Sequence, residues 1–361
     1  MSLLKLPCVT VTGSPAQMGE ALGESLRALI ERLVAHRLDR ASEYLQEHGV
    51  EGGLATYRAA AEGGLSLLRE WDEPGWLELD GTARGAGVPL LDLYASANFT
   101  DVRDVATIPH VPCDDDEGCT AFMSPAEDQG DLVVGQTWDL NAGDVEYVVG
   151  VHRLPSEGPE TWTVTVAGAP TLIGMNEHGL YVGTTNLKIQ GARVGVGYMD
   201  IQHRAIRERD HAAAASVAIE APRSAAHSYW YADASGGVEL ECSATSVVRR
   251  DLVEAPIVQT NHCLDDAHAA REPQAPQPST AARLARASML IGSGGLTLQG
   301  ARELMSDRAD GVLSINRYPE DGEPTTTNAC MIGVPSQRVF EACRGPADRG
   351  EWVSLAFERG G

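Results

Sequence analysis

The sequence predicts an α+β fold, on three observations. The first third of the chain carries apolar residues at three- and four-residue spacing, the pattern of amphipathic helices. Beyond about residue 105, short β-branched and aromatic runs separated by turn residues take over. These runs follow one another as hairpins instead of alternating with helices, so antiparallel sheet is expected in place of regular βαβ units.

Ser14-Pro15-Ala16-Gln17 has the form of a capping box with proline at the first helical position. Behind it, Met18, Leu22, Leu26, Leu29, Ile30 and Leu33 form one apolar stripe, and Gly49 is the expected stop. Further helices are expected over 54–71 and 75–86, and a fourth from Pro89 onward through Leu90, Leu93, Tyr94 and Ala97. Pro109, Pro112 and the acidic run Asp114-Asp115-Asp116-Glu117 make a turn-rich connector. Strands are then expected over 119–124, 132–139, 145–153 and 161–167. Segments 171–175 and 180–187 flank the turn Asn176-Glu177-His178-Gly179, and 228–232 and 238–242 flank a second one. The stretch 198–219 reads as one helix, 257–260 as a short strand, 280–291 and 298–306 as helices, and 329–334, 338–343 and 352–357 as closing strands. Residues 272–278 are a Pro/Gln-rich loop. There is no internal repeat.

With 43% hydrophobic and 22% charged residues over 361 positions, the chain has a globular mix and the length for one large domain or two small ones. No run approaches the ~18–20 apolar residues that span a bilayer. The net charge of −23 disfavours nucleic acid and anionic membrane as partners, both of which need a positive surface. Seven scattered cysteines, no C-x-x-C pair and no signal-like apolar segment at the start point to a reduced, cytoplasmic setting.

Glu117-Gly118-Cys119-Thr120-Ala121-Phe122 is the segment richest in chemistry. A thiol at a strand start can attack the carbonyl of the residue before it, and Gly118 leaves that backbone free to bend. An N-to-S acyl shift followed by hydrolysis would make Cys119 a new N-terminus. Its α-amine would titrate near 7.7–8.0, close to working pH and suited to a general base. A small buried cysteine beside a turn is the commoner use of such a residue. In Gly135-Gln136-Thr137-Trp138-Asp139-Leu140, the odd spacing puts Gln136 and Asp139 on opposite strand faces, and Asp139 could hold the cysteine amine.

Seven segments occur in one order: Gly13-Ser14-Pro15 with Met18-Gly19; the stretch 78–88; Glu117-Gly118-Cys119-Thr120; Gly135-Gln136-Thr137-Trp138-Asp139; Asn176-Glu177-His178-Gly179-Leu180; Thr260-Asn261-His262; and the stretch 279–287. Together they resemble the isopenicillin N acyltransferase (acyl-coenzyme A:6-aminopenicillanic-acid acyltransferase-like) family of N-terminal nucleophile hydrolases, along nearly the whole chain. The resemblance implies a four-layer αββα sandwich and a precursor that cuts itself between Gly118 and Cys119. A helical α chain, 1–118, and a catalytic β chain, 119–361, would then stay associated. It implies Cys119 as nucleophile with its own amine as base, Asp139 near that amine, Asn261 at the oxyanion and Asn186 as a second polar position. Arg283 matches an arginine near the site, with Arg286 one turn away as a rival, and Gln136, Trp138 and His262 join it as expected substrate-binding residues.

The activity so implied is hydrolysis or transfer of the acyl group of a small N-acyl amide, without a cofactor, with acyl-CoA as one acyl donor. A β-alanyl- or fatty-acyl-amine hydrolase of the same fold and an uncleaved binding protein stay open as alternatives, as does homo-oligomer formation. Asn316, Arg308, Asn328 and Cys330 stand where the family more often has other residues, which puts penicillin-type substrates in doubt. No metal site is expected. Asp114–Glu117 lacks a calcium-loop spacing, His262, Cys263 and His268 lack a complete zinc set, and no G-x-S-x-G elbow occurs.

Overall fold

The computed structural model describes residues 3–107, 118–126, 131–292 and 295–359. The acidic run Asp114–Glu117 lies outside them.

A strand not expected from the sequence, β1 (Cys8–Gly13), opens the chain. Then α1 (Pro15–Glu47) starts where the capping box predicts, with the Gln17 amide oxygen accepting from the Ser14 N–H at 2.9 Å. Next come α2 (Leu54–Trp71), α3 (Glu73–Ala86), α4 (Leu90–Ala97) and α5 (Phe99–Thr107). Helices α1 and α3 cross at backbone contact. A Cβ on Gly19 would stand 1.9 Å from the Glu78 carbonyl oxygen, and one on Gly23 2.2 Å from that of Thr82. Glycine is therefore required at this crossing. Helix α5 escapes the sequence reading because the face it buries carries Asp101, Arg103 and Asp104.

Strands β2 (Thr120–Pro125), β3 (Leu132–Asn141), β4 (Val148–Pro155), β5 (Thr161–Val166), β6 (Ile173–Asn176) and β7 (Tyr181–Asn186) follow. The expected single helix over 198–219 is two, α6 (Tyr198–Ala205) and α7 (His211–Glu220). Asp210 breaks it by capping the second helix, accepting from the Ala213 N–H at 2.8 Å. After β8 (His227–Asp233), β9 (Gly236–Cys242), β10 (Val247–Asp251) and β11 (Ile257–Gln259) come α8 (Asp266–Ala269), α9 (Pro278–Ile291) and α10 (Leu298–Met305). The chain closes with β12 (Thr325–Val334), β13 (Val339–Arg344) and β14 (Val353–Ser354).

The strands form two sheets, β1-β4-β5-β6-β7-β8-β9-β10 and β11-β2-β3-β12-β13-β14, antiparallel except for the parallel β1–β4 pair. The fold is thus mixed α+β, as expected. The sheets face one another across a core in which Tyr181 meets Phe340 edge-on at 6.1 Å and Gly333 leaves room for Met175. On the far side of the larger sheet, Val11, Val149 and Val151 pack under Met18 and Leu22 of α1. On the far side of the smaller one, Phe122, Val133 and Ile332 pack under Ala287 and Ile291 of α9 and Leu304 and Met305 of α10. No described helix is long and apolar enough to cross a membrane.

Candidate active site

Gly118 and Cys119 lie just ahead of β2, whose first residue, Thr120, pairs with Thr137 on β3. The register brings Cys119 beside Asp139. Its sulfur accepts from the Asp139 N–H at 3.4 Å, and the thiol reaches the Asp139 carbonyl at 3.7 Å. The cysteine is 4% exposed. A Cβ on Gly118 would stand 2.7 Å from Asp139 Oδ2 and 2.6 Å from Arg317 Nη1, so residue 118 lies close against the carboxylate and a larger residue would force Asp139 or Arg317 to shift.

The Asp139 side chain is buried, and neither of its oxygens closes a hydrogen bond among the described residues. Burial pushes its carboxyl up to about 7, against the pull of the Arg317 and Arg283 guanidinium groups and the nearby Thr327 and Thr137 hydroxyls. The strand opposite is irregular here. The β3–β12 register shifts between Thr327 and Ala329, a bulge facing Asp139 and Trp138. Arg317 is pinned to the bulged strand by its own N–H on Thr327 Oγ1 at 3.0 Å and its Nη1 on Thr325 Oγ1 at 2.6 Å.

Arg283, fully buried on α9, ties the site together. Its guanidinium donates to the carbonyl oxygen of Cys119, to Thr120 Oγ1 at 3.1 Å and to Asn261 Oδ1 at 3.1 Å. Its rival, Arg286, is turned away onto Asp307. With its oxygen so engaged, Asn261 presents its amide N–H to the Asn186 carbonyl at 3.0 Å, while its backbone N–H donates to Thr280 Oγ1 at 2.8 Å. The Asn186 side chain is buried with neither amide atom bonded among the described residues. His262 Nδ1 sits 2.9 Å from Thr280 Oγ1, and burial together with Arg283 holds its pKa below the ordinary value.

Gln136 goes elsewhere. On the opposite face of β3 from Asp139, it donates to the Thr184 carbonyl at 2.7 Å and accepts from the Thr184 N–H at 2.9 Å, clamping the two sheets together. Trp138 does reach the site. With Cys119, Leu140, Leu172, Tyr198 and His227 it bounds a narrow inner cavity. The centre of a water molecule can occupy about 20 Å³ of it, room for one or two waters at about 10–15 Å³ each. Asn186 also borders a second, outer cleft with Asn261, Lys188, Glu272 and Thr280. Sequence reasoning missed Arg317, Thr137 and Thr327 around Asp139, and Thr100, Tyr198 and His227 in the cavity wall. No local motif marks them, because tertiary packing alone brings them together.

One described cluster has the donor set for a metal ion. Ligand atoms of Glu241, Asp265 and His268 lie within 4.8 Å of one another. There His268 already contacts Glu241 through Nδ1 at 2.9 Å and Ser246 through Nε2 at 2.7 Å.

Among solved structures, similar ones include a mutant of the conjugated bile acid hydrolase from Clostridium perfringens, 12% identical over 67% of this chain and 97% of that one, with a TM-score of 0.45. Another is the penicillin V acylase from Agrobacterium tumefaciens, 13% identical over 66% of this chain and 86% of that one, with a TM-score of 0.43. No curated protein matches in sequence. Residues 126–344, well over half of the chain, match the family described as acyl-coenzyme A:6-aminopenicillanic acid acyl-transferase. The match starts just past Cys119 and takes in Asp139, Asn186, Asn261 and Arg283. On that match, the chain belongs to the acyl-coenzyme A:6-aminopenicillanic acid acyl-transferase family.

Proposed function

We propose that the protein is a self-activating cysteine N-terminal nucleophile enzyme that hydrolyses or transfers the acyl group of a small N-acyl amide. The single observation that carries this reading is the setting of Cys119. Its thiol rests on the Asp139 backbone, and the glycine before it lies close against the Asp139 carboxylate. Family membership supplies the reaction class, acyl transfer. The two facing sheets with helices on their outer faces fit a four-layer αββα sandwich.

In the first stage, the Cys119 sulfur attacks the Gly118 carbonyl carbon, the Gly118–Cys119 C–N bond breaks, and the thiol proton passes to the departing amine. Water then hydrolyses the thioester, leaving a Gly118 carboxylate and a Cys119 that carries both a free thiol and a free amine. The amine emerges beside Asp139. As that amine accepts a proton and becomes an ammonium, it favours the charged form of the Asp139 carboxyl.

In the second stage, the Cys119 amine takes the thiol proton and the sulfur attacks the substrate carbonyl. The tetrahedral oxyanion collapses to an acyl-thioester, and the amine product leaves with the proton. Water or an acceptor amine then takes the acyl group, which decides hydrolase or transferase. Asn261 is the oxyanion donor, its amide turned by Arg283, with Asn186 beside it. Such donors act where charge develops in the transition state. Arg283, Trp138 and His262 border the substrate's path. Gln136 is a structural clamp in this reading.

Intact mass tests it. Two fragments, one ending at Gly118 and one beginning at Cys119, are expected from the wild type, and one uncut chain without activity from Cys119→Ala. A Cys119→Ala chain that still splits in two would refute the reading.

A further inference from the structure

The residue assigned to the oxyanion stands on no regular element. Asn261 comes after β11, which ends at Gln259, and before α8. A reacting group carried on such a segment depends on its neighbours for its place, and a misplacement of about 1 Å can cost roughly a hundredfold in rate. Helix α9 supplies the neighbours. Thr280 and Arg283 lie three positions apart on it and so share a face. Both are buried, and both reach Asn261.

They grip it at different atoms. Arg283 donates to Asn261 Oδ1 at 3.1 Å, and Asn261 Nδ2 donates to the Asn186 carbonyl at 3.0 Å. An arginine only donates and a carbonyl only accepts, so these two partners decide which way the amide faces. One N–H of Nδ2 is spent on Asn186, and the other is left for a developing oxyanion. The rotation of the amide is thus set, and the position of the backbone that carries it is the remaining variable.

Thr280 holds that backbone. Its Oγ1 accepts from the Asn261 N–H at 2.8 Å, lies 2.8 Å from Thr260 Oγ1 and 2.9 Å from His262 Nδ1, and so clasps three consecutive residues to the first turn of α9. Thr260 Oγ1 in turn lies 3.0 Å from the Thr280 carbonyl oxygen. The single proton of the Thr280 hydroxyl goes to Thr260 or to His262, and with either choice a lone pair faces the Asn261 N–H. Resting on the reading of Asn261 as the oxyanion donor, we propose that Thr280 is a positioning residue for acyl transfer, its hydroxyl setting where Asn261 stands against the carbonyl that Cys119 attacks.

The test follows p-nitrophenyl butanoate turnover by the wild type, Thr280→Val, Thr280→Ala, Thr280→Ser, Asn261→Ala and the two hydroxyl-free variants combined with Asn261→Ala. Rates are taken per mole of chain beginning at Cys119, and the mass of the Cys119 peptide shows where the acyl group lands. Valine keeps the shape of threonine without the hydroxyl, and alanine removes the hydroxyl with less bulk. Each should lower kcat roughly ten- to a hundredfold with little change in KM, and serine should restore most of the loss. In the Asn261→Ala background the same changes should leave kcat nearly as it was, because the group they displace is gone. A general loosening of the fold would lower kcat alike in both backgrounds. Equal losses in the two backgrounds, full kcat without the hydroxyl, or a loss that serine does not restore would overturn this inference alone. Unchanged kcat in Asn261→Ala would overturn the assignment of the oxyanion donor, and no wild-type adduct at Cys119 that of the nucleophile, each taking this inference with it.

Discussion

Replacing Asp139 by Asn in a Cys119→Ala chain probes the carboxyl group buried beside Gly118 and Cys119. Burial lifts the Asp139 carboxyl from its ordinary 3.8 to about 7, a gap worth about 4 kcal/mol. The folded value lies above the unfolded one, so between these pH values the folded chain binds more protons than the unfolded chain. This group's contribution is full below pH 4, falls as pH rises toward 7, and levels off above that. About 3 kcal/mol of the loss belongs to the interval from pH 5 to 8. Urea unfolding at half-unit pH steps measures it. Asp200, whose carboxyl burial also lifts to about 7, contributes a similar slope, so the relevant quantity is the difference between the two curves. The chain that keeps Asp139 should lose about 3 kcal/mol more than the Asp139→Asn chain across the interval, whatever their absolute stabilities. In the cut wild type, the new ammonium beside the carboxylate should flatten the slope. Parallel curves for the two uncut chains would refute the account of Asp139 as a strained, desolvated acid awaiting a cation.

Three further outcomes are expected. Asn261→Ala should lower kcat by roughly 10²–10³ with little change in KM, as for loss of one oxyanion donor; steady-state kinetics on a reactive acyl ester will show whether it does. Gln136→Leu strands the Thr184 N–H and carbonyl between the sheets and should cost roughly 2–4 kcal/mol in urea unfolding, whereas a kinetic loss at unchanged stability would place Gln136 at the substrate instead. Gly23→Ala puts a methyl 2.2 Å from the Thr82 carbonyl oxygen and should destabilise the α1–α3 crossing by about 1–3 kcal/mol or more, seen as a lower melting temperature.

How much of this was legible in sequence follows from how local each feature is. The start of α1 and the bounds of α2 could be read because a capping box, glycines and a long apolar stripe lie within a few residues of one another. Helix α5 could not, because it buries charged side chains where an apolar stripe is expected: Arg103 pairs with its neighbour Asp104, and Asp101 with His227 of β8 far along the chain. Strand β1 alternates well enough, yet its parallel partner β4 comes far later in the chain. The odd spacing of Gln136 and Asp139 put them on opposite faces, and the structure places one against Thr184 and the other against Arg317. Motif order gave Cys119, Asp139, Asn261 and Arg283, which meet in one place. Arg317 and the bulge at Asn328 lie far along the chain from Asp139, and nothing short of the fold shows that they face it.

The pairing of β1 with β4 joins sequence from before residue 118 to sequence after it, along six register positions, and Leu4 bridges Gly350 at the far edge. A backbone severed after Gly118 could not release its leading piece without tearing an edge strand out of the larger sheet. Before severance, collapse is reversible in one molecule, since the covalent tether keeps the halves at high local concentration. Afterwards, re-formation would be a meeting of two solutes, and dilution would work against it. The processed protein would then persist by slow disassembly rather than by a favourable equilibrium, and its lifetime in dilute solution would measure the combined grip of that parallel seam, of α1 on the larger sheet and of buried pairs such as Glu78 with Arg153 and Asp101 with His227.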